Sequence, residues 1–242
     1  YMSGHSKWKN IMHKKEKADS QRAKVFTKIG REISVCVKQG GPDPAANSKL
    51  RDLIVKARGN NVPMDNIDRL IKKASGDGAA DNYEDITYEG YGPCGVAIIV
   101  EALTDNRNRT AGDMRHYFDK YGGNLGQSGS VGWMFKRRGE LVIEAEDKDA
   151  DTVMEAALEC GAEDFEDDGE VFTVVTSEDD FGAVRDAMEK AGYEFLEADV
   201  VMSPTTWTKI TDEELAAKME KLLELLDEHD DVQNVWHNWD ED

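Results

Sequence analysis

Three cysteines in 242 residues, Cys36, Cys94 and Cys160, are too few and too scattered for a disulfide framework or a zinc site. They imply a reducing compartment, with each thiol expected as a small buried hydrophobe. Long apolar runs are also missing. No stretch approaches a membrane span, and the first residues carry charge where a signal peptide needs an apolar core. No membrane association is therefore expected, and the location expected is cytoplasmic. Tyr1, ahead of Met2, is expected to be a leftover of expression.

Signatures of catalysis are equally scarce. There is no P-loop, and Gly126-Gln127-Ser128-Gly129-Ser130 ends in serine where a nucleophile elbow needs glycine. The five histidines show no ligand spacing. Asp164-Phe165-Glu166-Asp167-Asp168-Gly169 starts like a calcium loop, but its twelfth position is Val175 instead of glutamate. Gly90-Tyr91-Gly92-Pro93-Cys94-Gly95 matches G-x-G-x-x-G to the letter. A dinucleotide site needs a helix next, with amides aimed at the pyrophosphate. Here the strand-like Val96-Ala97-Ile98-Ile99-Val100 follows and Pro93 removes a donor, so a hairpin turn is expected. No catalytic residue, metal or cofactor is expected, and the chain is read as a non-enzyme.

Positive charge is scarce everywhere but at the start. The net charge is −20, yet residues 1–76 hold 17 Lys and Arg against 7 Asp and Glu. The remainder holds 13 against 43, so a basic head of net +10 precedes an acidic body of net −30. Such a head points to a polyanionic partner, and the field of the body would orient that partner. In residues 2–18 lysines alternate with Trp8, Ile11 and Met12 without an apolar period, which predicts a flexible or partly helical arm. His5, Ser6, Lys7, Lys9, His13, Lys14 and Lys15 are its candidate phosphate contacts. Trp8 can stack on a base or pack against its own domain.

From Asp19 the period turns helical. Phe26, Ile29, Ile33, Cys36 and Val37 form one stripe, with Lys24, Lys28 and Arg31 off it as further candidates. Gly40-Gly41-Pro42 ends this helix. Helices over about 47–58 and from Pro63 onward complete a three-helix unit, and residues 76–80 read as a linker. Strands are predicted over 86–89 and 96–100. The polar loop Asn106-Arg107-Asn108-Arg109 comes next, then a helix carrying Arg115 that runs to about residue 121. Residues 105–138, ending in Lys136-Arg137-Arg138, carry seven basic against three acidic side chains. They read either as a second basic patch or as a solvated loop.

Residues 140–203 contain a repeat. Val153, Glu155, Ala156, Gly161 and Glu163 recur as Val184, Asp186, Ala187, Gly192 and Glu194, 31 positions on. Each copy reads strand, helix, strand, which gives a ferredoxin-like βαββαβ sandwich. RNA-recognition domains share that topology, but their basic and aromatic strand signature is missing. With 22 acidic against three basic residues this segment would repel phosphate, so it reads as a structural or protein-contact module. Thr211-Asp212-Glu213-Glu214 reads as a capping box for a helix striped by Leu215, Met219, Leu222 and Leu226. A strand over 232–239 follows and is expected to return to the middle unit. The fold class expected is α+β and multidomain: an N-terminal three-helix domain and two α+β domains, one of them ferredoxin-like. The boundaries expected are 1–80, then 81–138 with 204–242, with 139–203 inserted.

Several blocks then resemble a known family. Gly4-His5-Ser6-Lys7-Trp8, Lys24-Val25-Phe26-Thr27-Lys28-Ile29, Tyr88-Glu89-Gly90-Tyr91-Gly92-Pro93 and Thr104-Asp105-Asn106-Arg107-Asn108-Arg109-Thr110 are similar to signatures of the YebC/PmpR family. So are Gly122-Gly123-Asn124-Leu125-Gly126 and Asp230-Asp231-Val232-Gln233-Asn234-Val235. The resemblance implies a cytosolic, non-enzymatic protein of three domains. It implies a transcriptional regulator that binds DNA. As the alternative, it implies a translation factor on ribosomal or messenger RNA that relieves ribosome stalling at proline-rich stretches. Cys94 stands where the family pattern leads one to expect glycine. No mitochondrial targeting segment precedes Met2, which favours the bacterial type. The partners expected are nucleic acid and, in the second reading, the ribosome, with the chain a monomer.

Overall fold

The computed structural model describes residues 4–76 and 82–241, without the side chains of residues 4–6 and 18–20. The expected linker thus lies, from Asp77 on, outside the described residues. In chain order the elements are α1 (Gly4–Ser20), α2 (Arg22–Gly40), α3 (Ser48–Gly59), α4 (Met64–Ser75), β1 (Glu84–Tyr91), β2 (Ala97–Thr104), α5 (Arg107–Lys120) and β3 (Asn124–Leu125). Then come β4 (Phe135–Glu144), α6 (Ala150–Glu159), β5 (Asp164–Asp167), β6 (Val171–Thr176), α7 (Phe181–Lys190) and β7 (Glu197–Pro204). β8 (Thr208–Lys209), α8 (Glu213–Glu228), β9 (Val232–His237) and β10 (Trp239–Asp240) close the chain. The α+β class is as the periodicities predict. Two compact units result: Tyr1–Asp19 with Phe135–Thr205 and Asp240–Asp242, and Ser20–Met134 with Thr206–Trp239.

In the larger unit, α2, α3 and α4 bury Ile29, Ile33, Cys36, Val37, Leu50, Ala57 and Ile67 as one cluster, the stripe the sequence spaces at helical intervals. The buried Asn47 joins α2 to α3. Its side-chain oxygen accepts from the Leu50 amide at 3.1 Å, and its NH2 donates to the carbonyls of Cys36 and Gly41. The sheet of this unit runs β3-β1-β2-β9, with β2 antiparallel to both β1 and β9. β9 arrives after the whole acidic segment, so the chain leaves this sheet and returns to finish it. α5 and α8 supply Met114, Phe118, Met219, Leu222 and Leu226 to a core with Val96, Ile98 and Val100 of the sheet segment.

The turn between β1 and β2 is the expected hairpin, closed by the Gly92 amide donating to Val96 O at 2.8 Å. One expectation fails there. Cys94 is exposed and free, at φ 57°, whereas a buried hydrophobe was predicted. The turn places this residue outward and in the left-handed region that favours glycine, which is the physical reason a glycine suits the position. A second correction concerns α8. Its N-cap is Asp212, one residue later than the capping box places it, with its carboxylate accepting the amides of Glu214 and Leu215. A carboxylate serves two amides at once and suits the positive end of the helix.

In the smaller unit, the antiparallel sheet β5-β6-β4-β7 with α6 and α7 is ferredoxin-like, the βαββαβ order the repeat predicts. α6 and α7 lie 31 residues apart and are ten residues each. Gly161 and Gly192 follow them at φ 100° and 94°. The two helices cover one sheet face over Leu141, Ile143, Phe172 and Val174. The alternate residues Val142 and Val171 face the other way and are buried by Ile11, Trp8 and Met12 of α1. All six residues of β6 are therefore buried. Where a flexible or partly helical arm is expected, a 17-residue helix forms. An apolar sheet face gives Trp8, Ile11 and Met12, at helical spacing, something to pack on.

Candidate nucleic-acid interface

The structure sorts the cations of the head into those turned onto the protein and those turned to solvent. On α1, Lys7 donates to Glu140 Oε2 at 3.0 Å. The Glu140 carboxylate also takes Arg138 at 2.8 Å. Burial alone would raise its pKa, but Lys7 and Arg138 outweigh that and hold it below the usual range. Trp8 is half-buried in the cluster around Ile11, so packing is its role here. Lys9, His13, Lys14 and Lys15 are exposed. Lys14 approaches Glu197 only to 3.8 Å with two-thirds of its side chain in solvent. The side chains of His5 and Ser6 lie outside the described residues.

On α2, Lys24, Lys28 and Arg31 stand one turn apart and face the C-terminal end of α8. Lys24 Nζ donates to Glu228 O at 3.0 Å and Lys28 Nζ to Asp227 O at 2.6 Å. These last-turn carbonyls carry the negative end of the helix dipole, which cations stabilise. Arg31 donates to Leu103 O at 3.0 Å and to Asp231 Oδ1 at 2.6 Å. Asp231, only 2% exposed, also receives Thr110 Oγ1 at 2.8 Å and Arg109 at 3.0 Å. Burial pushes its pKa up, yet the bonds from Arg31, Thr110 and Arg109 hold it at about 2. His229 sits beside this junction. Its Nδ1 accepts the Asp231 amide and its Nε2 meets Asp113 at 2.9 Å, which assigns the ring proton to Nε2.

The segment expected as a polar loop is instead the start of α5, helical from Arg107 because the Asn106 side chain caps it, and its side chains divide in the same way. Asn106 is the N-cap of α5, accepting the Arg109 amide at 3.1 Å. Arg109 bridges Asp105 and Asp231. Arg107 makes an exposed pair with Glu84 at 3.1 Å, while Asn108 and Arg115 face solvent. Lys136 and Arg137 belong to the other unit. With Arg138 they line a shallow cleft of about 420 Å³, but Glu163, Asp164 and Glu178 line it too, and Arg137 pairs with Glu178 at 3.0 Å. Equal numbers of cations and carboxylates do not make an anion cradle.

Two features escape the sequence reading. The first is a set of exposed cations on the three-helix body: Lys49, Arg51 and Arg58 of α3, and Arg69, Lys72 and Lys73 of α4. Their charge is visible in composition, but only the helix faces show that they point outward. The second is a loop held by a buried acid. Glu89, 8% exposed, accepts the amides of Gly129, Val131 and Gly132 at 2.5 to 3.2 Å. A Cβ at Gly132 would stand 2.8 Å from this carboxylate. A glutamate directly before the Gly90–Gly95 turn, with a glycine-rich segment at 126–132, was the available signal. Among the described residues no helix is long and apolar enough to cross a membrane.

The model of the TACO1/YebC N-terminal domain matches residues 6–77, and that of the second and third domains matches residues 83–239. A "probable transcriptional regulatory protein" of Caldicellulosiruptor bescii is 57% identical over 242 residues, covering 100% of this chain and 99% of its own length. One of the same description from Ruminiclostridium cellulolyticum is 58% identical over 242 residues, covering 100% and 98%. The crystal structure of a conserved hypothetical protein from Aquifex aeolicus superposes with TM-score 0.80 at 43% identity, covering 92% of this chain and 91% of that one.

Proposed function

This chain belongs to the TACO1/YebC family, and from that premise we propose that it is a non-enzymatic regulator of gene expression that binds nucleic acid. It acts in the cytoplasm, as a monomer, through the boundaries expected above: an N-terminal domain over 1–80 and a middle domain that carries 139–203 as an insertion. One observation carries the reading. The fold turns Lys7, Lys24, Lys28 and Arg31 onto its own acceptors, yet leaves Lys9, Lys14 and Lys15 of α1 and six cations of α3 and α4 facing solvent. In a protein of net charge −20, cations left in solvent suit phosphates. His13, Asn108, Arg115 and Lys136 extend that set as lesser contacts, and Arg107 and Arg137 would join it only by leaving their pairs with Glu84 and Glu178. Lys24, Lys28, Arg31, Asn106 and Arg109 instead hold the body that presents it.

The relatives' names support regulation of transcription, and duplex DNA is the ligand this first reading takes. A second reading, RNA at the ribosome, draws on the spread of the cations. They lie over several helices, not along one recognition helix with base-reading side chains, and backbone and shape recognition requires no such helix. Crosslinking the protein in cells, sequencing the bound nucleic acid and sedimenting the lysate separates the two. Recovery on promoter DNA away from ribosomes is expected for the first. Ribosomal or messenger RNA, with the protein migrating with ribosomes, establishes the second. Recovery of no nucleic acid at all contradicts both.

A further inference from the structure

We propose that Trp133 is a stacking platform for an unpaired nucleobase, a role that adds to phosphate binding and rests on the nucleic-acid reading above. The five tryptophans are not alike. Trp8 packs against Ile11, Trp236 donates its indole N–H to Glu101 at 3.1 Å, and Trp239 is 6% exposed. Trp207 is 37% exposed, but Trp133 is 72% exposed. Its N–H does not reach for solvent. It donates to Ser130 O at 3.1 Å, so the polar edge is satisfied within the loop and the ring surface is what solvent meets.

The loop beneath it is held firmly. Glu89 fixes it through the three amides of Gly129, Val131 and Gly132, the Gly126 amide donates to Glu89 O at 2.8 Å, and Tyr91 Oη reaches the same Ser130 carbonyl at 3.5 Å. A glycine-rich segment would otherwise be mobile. A buried carboxylate that immobilises it leaves the indole preorganised, which lowers the ordering cost of a bound partner.

The surroundings select the partner. Residues 126–132 read Gly-Gln-Ser-Gly-Ser-Val-Gly, without a charge, so no carboxylate on this loop repels a phosphate. Gln127 and Ser128 are exposed and offer donors and acceptors to a base edge. The other exposed large apolar side chains among the described residues, Met64, Met154, Leu158 and Trp207, belong to other segments. A lone indole bounded by amide and hydroxyl groups lacks the contiguous apolar core of a protein interface, but it suits a flat heteroaromatic ring. Bases inside a duplex are already stacked, so the ligand is an unpaired or extruded base of DNA or RNA.

The test compares labelled single strands of equal length with bases and with abasic sites, in DNA and RNA forms, by fluorescence anisotropy. Wild type is expected to bind the base-bearing strand roughly tenfold more tightly than the abasic one. Trp133→Ala should abolish that ratio without changing affinity for the abasic strand, and Trp133→Phe should keep most of it. The polymer with the larger ratio identifies the source of the base. A ratio that survives Trp133→Ala overturns the proposal. So does a variant that loses abasic binding equally, which marks Trp133 as structural. If wild type binds both strands equally, the stacking role fails and the nucleic-acid reading stands; if it binds neither, the reading itself fails.

Discussion

Asp231 is buried and charged, and four groups make that state favourable. Arg31, Arg109, Thr110 and the more distant Thr104 converge on its carboxylate from α2, α5 and the end of β2. Its folded pKa of about 2 lies below the ordinary 3.8. The stability it contributes, about 2 kcal/mol, is therefore complete above the unfolded pKa and is lost as pH falls from about 4 toward 2. Asp231→Asn should destabilise the protein by at least that amount near neutrality, more so because Arg31 loses its buried partner. The gap to wild type should narrow in urea melts below about pH 3. A gap that stays constant with pH would assign the loss to packing. Arg109, in the first turn of α5, belongs to the same junction, so its role is to tie α5 to Asp231 just beyond the end of α8.

At the scale of elements, α1 shows most clearly how context decides structure. Its sequence has little amphipathic period, and in isolation a 17-residue lysine-rich helix is marginal. The sheet face of β4 and β6 stabilises it through Ile11, which is 4% exposed. Ile11→Ala should cost about 2–4 kcal/mol and raise amide exchange along α1 well before exchange in β4 rises. Equal protection of α1 in variant and wild type would show that the seat is elsewhere. The periods of α2, α3, α4 and α8, the hairpin at Gly92 and the 31-residue repeat were all legible, because each element's own side chains determine it. The seat of α1 was not, because Val142 and Val171 lie more than 120 residues away in the chain. The site was legible as charge but not as geometry. Composition counts Lys24 and Lys9 alike, and only the fold turns one onto Glu228 O and the other to solvent.

For the whole molecule, the governing feature is uneven charge. Residues 140–203 hold 22 acidic against three basic side chains, and α1 packs on the sheet they build. Internal pairing neutralises part of the head: Glu140 takes Lys7, and the end of α8 takes Lys24 and Lys28. What remains in solvent is the proposed phosphate-binding set, and the signature of that role is the salt dependence of binding. The direct measurement is the slope of log affinity against log salt for a DNA and an RNA oligonucleotide. Two triple variants, Lys9, Lys14 and Lys15 to alanine and Arg58, Lys72 and Lys73 to alanine, are compared with the double variant Lys24 and Lys28 to alanine. Each triple variant is predicted to flatten the slope by roughly 0.7–0.9 for every phosphate it no longer neutralises, while the double variant lowers stability and leaves the slope unchanged. A slope that is unchanged in both triple variants, or that flattens only in the double variant, would contradict the assignment of the solvent-facing cations to phosphate.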